Sequence, residues 1–564
     1  MNEAEPVDHG PWPLRALILL ALGAACGLIV HFLTQGMDGS RAADEPLRMA
    51  GASFVAAGAL VFAFSLERLR WRWSAMFGAA AGSVVALVGW WNGSPEQWGA
   101  GEGWQFFASL VAIAFAVPLF QAIRDSGGRR FPVRAAHSNA WTNLILWCAA
   151  WAFVGATLLL TFLLSELFRL IGIDLIRDLL EEGWFPTMLV GAALGGAVGL
   201  LRDRDNVLHL LQKVVRAILS VLAPVLALGL VLFVAALLFT GLEPLWSQTK
   251  STTPILLVCI LGAIVLVNAV VGNGADEEAR SPLLRWAAIA LAAVMLPLAL
   301  VAAVSTGKRI GQYGLTPDRM SACVFVLAAA AFALAYLYAL VRRRAGWPEA
   351  QRSANVRLAA GLCLLALFLA LPIVSFGAIS TRDQIARLES GRVAPDQFDW
   401  AAMRFDYGRS GRRALERLAA SPNLVVRQRA REALRASDRW AVAPQPPAPG
   451  VSGQTPLRLR VEGGASVPAP LADLLRRTNQ CGDDPCRLVF VEPKRAVLLR
   501  PGCGNCYHIF DLRPDGTWVQ RLPAAAFRVP RTAPADSGEG RVEVRKVERQ
   551  QLFVDGQPVG DPFE

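Results

Sequence analysis

The chain has 564 residues, of which 54% are hydrophobic and only 18% charged, and a mean hydropathy of +0.39, so it is too apolar for a soluble protein. Its formal net charge of +11 would suit nucleic acid, but the cations lie mostly in short segments between apolar runs, where they orient a membrane protein instead. Lipid is therefore the expected partner, and nucleic acid is not.

A bilayer core about 30 Å thick takes roughly 20 helical residues to cross. Eleven stretches meet that need: 13–32, 49–65, 74–91, 104–123, 141–164, 185–201, 215–239, 253–271, 284–304, 322–341 and 358–375. Trp12, Trp71, Trp73, Trp90, Trp91, Trp104, Trp141 and Trp184 stand near their ends, at the headgroup level that indole rings prefer. Lys and Arg number 19 in the segments on the side of the N-terminus and 8 on the other, which predicts a cytoplasmic N-terminus and, with an odd number of spans, an extracytoplasmic C-terminal region. Cys26 in Ala24-Ala25-Cys26-Gly27 superficially suits a lipoprotein cleavage site, but the preceding region is not basic and the apolar run continues, so the first span is expected to stay in place.

Between the fifth and sixth spans, Asp174, Asp178 and Glu182 recur every four residues opposite a Leu/Ile face, which predicts a helix over 166–182 lying in the membrane interface. An acidic stripe lining a cation or substrate entrance is the sharper alternative. The short sixth span carries Gly191, Gly195 and Gly199, and Gly23/Gly27 and Gly78/Gly82 repeat the spacing in other spans; glycines so placed let helix backbones approach closely, and a broken transporter helix is the competing reading. The apolar cores carry essentially no Asp, Glu, Lys or Arg, which counts against an ion-coupled pump. His31 and Asn268 are the notable polar residues, expected at the interface and between helices.

The polar break at 308–319 reads Lys308-Arg309-Ile310-Gly311-Gln312-Tyr313-Gly314-Leu315-Thr316-Pro317-Asp318-Arg319. Thr316 suits an N-cap, Pro317 the first helical position and Asp318 the positive end of the helix dipole, while Arg309, Tyr313 and Arg319 fall at headgroup level. Anchoring and capping explain much of the block. Arg309, Tyr313, Gly314, Thr316 and Arg319 are also candidates for holding a lipid headgroup or another ligand. The block resembles the R-I-x-x-Y-G-L-T-x-x-R signature of bacterial membrane proteins grouped as domain of unknown function 4153. That resemblance implies an integral membrane protein, covers the spans and the segment to about Arg439, and carries over no catalytic residue.

Residues 377–441 are charged and helical in pattern, with amphipathic segments at 414–420 and 424–434 joined at Ser421-Pro422-Asn423, and read as a juxtamembrane stalk or cap. The Pro/Gly-rich stretch 442–456 predicts an extended linker. From 457 the period changes to strand, at 457–461, 487–491, 496–499, 507–512, 517–520, 542–547 and 551–554, with one helix near 471–477, so 457–564 is expected to be a small, mainly-β domain. The whole is an all-α polytopic bundle over 1–376 with these appendages.

Cys26, Cys148, Cys259, Cys323 and Cys363 lie singly in spans as small apolar groups. Cys481, Cys486, Cys503 and Cys506 cluster in the sheet region. Two disulfides suit the oxidising side on which the topology places them; a four-thiolate zinc site is the alternative, and a redox Cys-x-x-C the third. No other cofactor is expected. With no phosphate-binding loop, His-Glu-x-x-His or nucleophile elbow, the chain reads as a non-enzymatic bacterial inner-membrane protein that senses, scaffolds or binds envelope partners. A permease or flippase for a lipid or small molecule, and a transferase acting on a lipid-linked substrate, are the alternatives.

Overall fold

The computed structural model describes residues 12, 14–36, 45–95, 98–127, 132–242, 252–343, 346–440, 442, 459–462, 466–478, 486–499, 507–513, 516–521, 542–546, 550–554 and 557–563. The chain forms two compact units, Met1–Ala443 and Pro444–Glu564.

Among the described residues of the first unit, eleven helices are long and apolar enough to cross a membrane, one for each expected span. They are α1 (Leu14–Thr34), α2 (Glu45–Ser65), α3 (Trp71–Asn92), α4 (Ala100–Asp125), α5 (Val133–Arg169), α7 (Trp184–Arg202), α8 (Asp205–Thr240), α9 (Thr252–Val271), α10 (Pro282–Tyr313), α11 (Pro317–Arg343) and α12 (Trp347–Ala370). The short α6 (Leu175–Glu181) lies between α5 and α7. Large apolar side chains face outward, such as Val225, Leu228, Leu238 and Phe239 on α8, because lipid rather than water surrounds the helices.

Contacts between helix ends sort the connections onto two faces. Arg15 at the start of α1 meets Asp203 after α7, and Arg124 at the end of α4 reaches Ser65 at the end of α2. At the opposite face Thr253 of α9 bonds Thr306 of α10, and Gln105 of α4 bonds the Val374 carbonyl after α12. Successive spans therefore alternate in direction.

Close packing rests on small residues. In the antiparallel pair α1 and α7, a Cβ added to Gly23, Gly191 or Gly195 would strike the carbonyls of Gly191, Gly23 and Leu19 respectively, so the two backbones are in direct contact. Gly58, Gly78 and Gly82 do the same between α2 and α3. The glycine stripe of α7 is a helix-packing surface. A second core gathers α8 to α11, where Ala288, Ala292, Ala302 and Ala333 interleave with Ile260, Leu291, Met295 and Leu298.

Two expectations need correction. The helix expected over 166–182 is split: α5 continues to Arg169, the chain turns at Gly172 with φ +79°, and α6 covers only Leu175–Glu181. A residue in the left-handed region cannot continue a right-handed helix, and glycine adopts it without strain. The last span, expected over 358–375, is helical from Trp347 to Ala370. Pro348 suits the first turn, and Pro372, which lacks an N–H and disfavours helix in the residue before it, ends the helix early.

After α12 come α13 (Phe376–Glu389), α14 (Trp400–Phe405), α15 (Gly408–Leu418) and α16 (Leu424–Arg435). They share a core of their own, with Phe398, Trp400, Met403, Tyr407, Leu415, Val426 and Ala430 buried. Ser375, Asp399 and Asn423 cap α13, α14 and α16 with side-chain oxygens. These four helices form a cap on the face where α10 ends and α11 begins.

The second unit holds two sheets. In the larger, β1 (Leu459–Val461) pairs in parallel with β2 (Cys486–Glu492) across α17 (Ala469–Thr478), and antiparallel β3 (Arg495–Leu499), β4 (Tyr507–Leu512) and β5 (Trp518–Arg521) follow in order. Leu471 and Leu475 of α17 pack on Leu488, Leu498 and Phe510. The smaller sheet is β6 (Val542–Lys546), β7 (Gln550–Val554) and β8 (Gln557–Phe563). No strand was expected over β8. Its Pro558 and Pro562 argue against a central strand, and among the described residues it is an edge strand paired with β7 alone.

The backbone contact between α1 and α7 yields a test. Gly191→Leu should destabilise the protein by about 3 kcal/mol or prevent folding, since the clash is with backbone and cannot relax by a rotamer change. Gly155→Leu, where a Cβ meets open space, should leave thermal unfolding in detergent unchanged.

Candidate functional site

The residues marked by the 309–319 motif meet at the connection between α10 and α11. Gly314 has φ +76°, which reverses the chain directly after Tyr313, and α11 starts at Pro317 as its capping residues require. Thr316 Oγ1 accepts from the Arg319 N–H at 3.4 Å, the geometry expected of an N-cap.

The end of a helix leaves its last carbonyls without intrahelical partners. Here the Ile310 carbonyl is met by the Gly314 N–H at 2.8 Å, and the last two carbonyls, with those of the connection, are met by side chains. Arg387 donates to the Gln312 carbonyl at 2.7 Å, and Gln384 Nε2 donates to the Tyr313 and Leu315 carbonyls at 2.9 and 3.0 Å. Arg319 donates to the carbonyls of Tyr313 and Gly314 at 3.2 and 2.7 Å, and Asp383 Oδ2 accepts the Leu315 N–H at 2.7 Å. Asp383, Gln384 and Arg387 all belong to α13, so one face of one cap helix grips the connection. Arg319 also lies over the Tyr313 ring, 5.4 Å from its centroid. Arg309 stands one turn before Tyr313 on α10, half-buried.

The rest of the cap is attached by the same means. The Ala100 N–H donates to the Asp406 carbonyl at 2.8 Å, starting α4 against the end of α14. Glu102 accepts from the backbone N–H groups of Gly99 and Arg409 at 3.0 and 3.3 Å, and Arg409 reaches the Trp91 carbonyl. Gly408, at φ +57°, is the only residue type that fits against the Glu102 carboxylate there. Phe376 stacks on Trp104 with centroids 6.0 Å apart. Tyr407 is buried beneath, and burial, then the nearby Asp399 carboxylate, pushes its phenol up, so it stays protonated as a neutral packing group.

At the opposite face arginines perform the same service. Arg124 and Arg202 donate to the Ser65 and Phe64 carbonyls closing α2, Arg70 to the Arg124 carbonyl closing α4, and Arg352 to the Val271 carbonyl closing α9 at 3.2 Å. Nearby, Asn268 lies in a buried network: Asn268 Nδ2 donates to the Tyr336 hydroxyl at 2.9 Å, which donates to Asn355 Oδ1 at 2.9 Å, while Gln351 and Asn355 donate back to Asn268 Oδ1 at 3.1 and 2.7 Å. Arg352 pairs with Glu278 at 3.1 Å beside it. The expectation for Asn268, a polar group satisfied between helices, matches this geometry. Its partners Gln351 and Asn355 were not foreseen, although their spacing of four on the polar first turns of α12 is the signal that would have found them.

Of the four clustered cysteines, Cys481, Cys503 and Cys506 lie outside the described residues. Cys486 opens β2 and is fully buried. His508 is a β4 residue facing Gln520, at 2.9 Å. Among the described residues no cluster of three or more His, Cys, Asp or Glu is placed to hold a metal.

A family model described as a domain of unknown function, DUF4153, matches residues 15–418. The chain belongs to the DUF4153 family. The match starts in α1 and ends with α15, so the family region takes in the bundle, the gripped connection and most of the cap, stops short of Arg439, and leaves out the sheet unit. Neither curated proteins nor solved structures give a match.

If α13 holds the connection as these bonds imply, Asp383→Ala should expose 376–435 to protease in isolated membranes roughly tenfold faster. Gly314→Ala, which forces a left-handed alanine at a cost of about 1–3 kcal/mol, should act in the same direction. Arg382→Ala, on the same helix, should cut no faster than wild type.

Proposed function

We propose that this DUF4153 protein is a non-enzymatic bacterial inner-membrane scaffold or sensor, in which the helical cap connects a rigid bundle to a ligand- or partner-binding sheet unit outside the cytoplasm. One observation carries the reading: the backbone of the family motif is gripped by the cap helix α13, and its Thr316 and Arg319 side chains brace the same connection from within. Tyr313, Gly314 and Leu315 are held through their backbones, Arg319 donates to two of those carbonyls, and Thr316 caps α11. Groups used in this way serve mechanical continuity between bundle and cap better than they serve turnover of a substrate.

The alternatives of permease and flippase lose the short span that suggested them, because α7 is packed backbone to backbone on α1. Orientation follows the positive-inside count: the face bearing Arg70, Arg124, Arg202 and Arg343 is cytoplasmic, and the cap and sheet unit are extracytoplasmic. In that compartment Cys481, Cys486, Cys503 and Cys506 are disulfide-bonded rather than bound to zinc. Arg309 and the exposed Tyr313 ring are left at headgroup level, where they anchor the cap to lipid phosphates.

Two measurements test this. An impermeant maleimide applied to intact cells should label the four-cysteine unit only after reduction, with the variant lacking all four cysteines as background. Labelling that needs permeabilisation and rises on zinc chelation would reverse both topology and chemistry. In proteoliposomes, fluorescent phospholipid should cross the bilayer no faster than in protein-free vesicles; protein-dependent scrambling would replace the scaffold reading with a flippase.

A further inference from the structure

A groove of about 840 Å³ runs between α11 and α12 on the arginine-rich face. Its walls include Ala335, Ala339 and Ala354, whose small side chains leave room between two helices that elsewhere touch. Its rim carries Arg343, Arg357 and Glu349. Neither arginine has a hydrogen bond or ion pair among the described residues, although other arginines of this face, Arg124, Arg202 and Arg352, are bonded to carbonyls.

Position decides what such a groove can hold. Arg343 closes α11, beyond the apolar run. Arg357 is followed by only 13 further residues of α12, about 20 Å of helix, less than the roughly 30 Å of a hydrocarbon core. Its backbone therefore lies within the hydrocarbon, and an arginine so placed extends its side chain toward the nearer face, where an uncompensated cation is costly and a phosphate is the available counter-charge. Tyr338 and Leu334 open outward beside it, 60% and 55% exposed, so the groove is continuous with lipid and not with a water-filled vestibule. Two arginines against one glutamate leave a net charge of +1 over an apolar floor.

We propose that this groove is a binding site for an anionic phospholipid, one acyl chain lying along the partly exposed Ala335 and Ala354 and the phosphate held by Arg343 and Arg357. The small walls admit the chain, and Glu349 disfavours a second anionic group on the far side. The site does not depend on the cap or on the scaffold reading, because it lies at the other face of the bundle.

Native mass spectrometry of the full chain in detergent, with added phosphatidylglycerol or phosphatidylcholine, tests it. Wild type should retain phosphatidylglycerol preferentially. Near a membrane surface each arginine contributes roughly fivefold, so Arg343→Gln with Arg357→Gln should weaken that retention about 30-fold while thermal unfolding stays unchanged. Arg68→Gln, on the same face, should retain lipid as wild type does. Ala354→Phe should lose both lipids by filling the groove. The proposal is overturned if the two lipids bind equally, if the double variant binds as wild type, or if glycerophosphoglycerol without chains competes at equal concentration. It is equally overturned if the groove-filling variant instead dissolves a dimer.

Discussion

Where no water reaches, every backbone carbonyl and N–H must find a partner within the protein, and this constraint organises the molecule at both membrane faces. Inside a span the helix meets the demand by itself. At the ends it cannot, and each end leaves several groups bare. At one face the solution is a set of arginines, Arg70, Arg124, Arg202 and Arg352, that reach across to the last carbonyls of neighbouring helices. Their charge also complements the negative pole of each helix they close, so the same residues serve hydrogen bonding and electrostatics together.

At the other face the solution is an added structure. The connection from α10 to α11 turns within three residues; Arg319 meets two of its carbonyls locally, and Asp383, Gln384 and Arg387 supply partners for the Leu315 N–H and for the Gln312, Tyr313 and Leu315 carbonyls. Because these three lie on one helix, satisfying the connection also fixes α13, and α14 to α16 are then positioned by their shared core. A bundle that closed its own ends at this face would have no such attachment. The family match, which continues through α15, is consistent with the cap being an integral part of the family unit rather than an addition to it.

Within the bundle, small residues and polar side chains divide the work. Glycine stripes on α1 and α7 gain close van der Waals contact where no hydrophobic drive exists between apolar helices in lipid. The Asn268, Tyr336, Gln351 and Asn355 network adds directional contacts among α9, α11 and α12. Hydrogen bonds of that kind fix register and rotation, which interchangeable apolar contacts leave free.

The eleven spans, the change of period near residue 457 and the capping role of Thr316 were all legible in the sequence, because each follows from local chemistry: helix length against bilayer thickness, strand alternation, and a side chain bonding its own backbone. The glycine spacings announced close contact but not which helices would meet. The break at Gly172, the early end of α12 and the edge strand β8 depended on single Gly and Pro residues whose effect is read one way or the other only in context. Nothing in the linear order pairs Gly23 with Gly191, Leu315 with Asp383, or Asn268 with Gln351, since each contact joins residues about 70 or more positions apart. Composition and periodicity alone determined that the chain has eleven segments fit to cross a membrane and roughly where they lie. The tertiary structure decided which helix ends meet, because an unsatisfied carbonyl accepts any donor that the packing brings within reach.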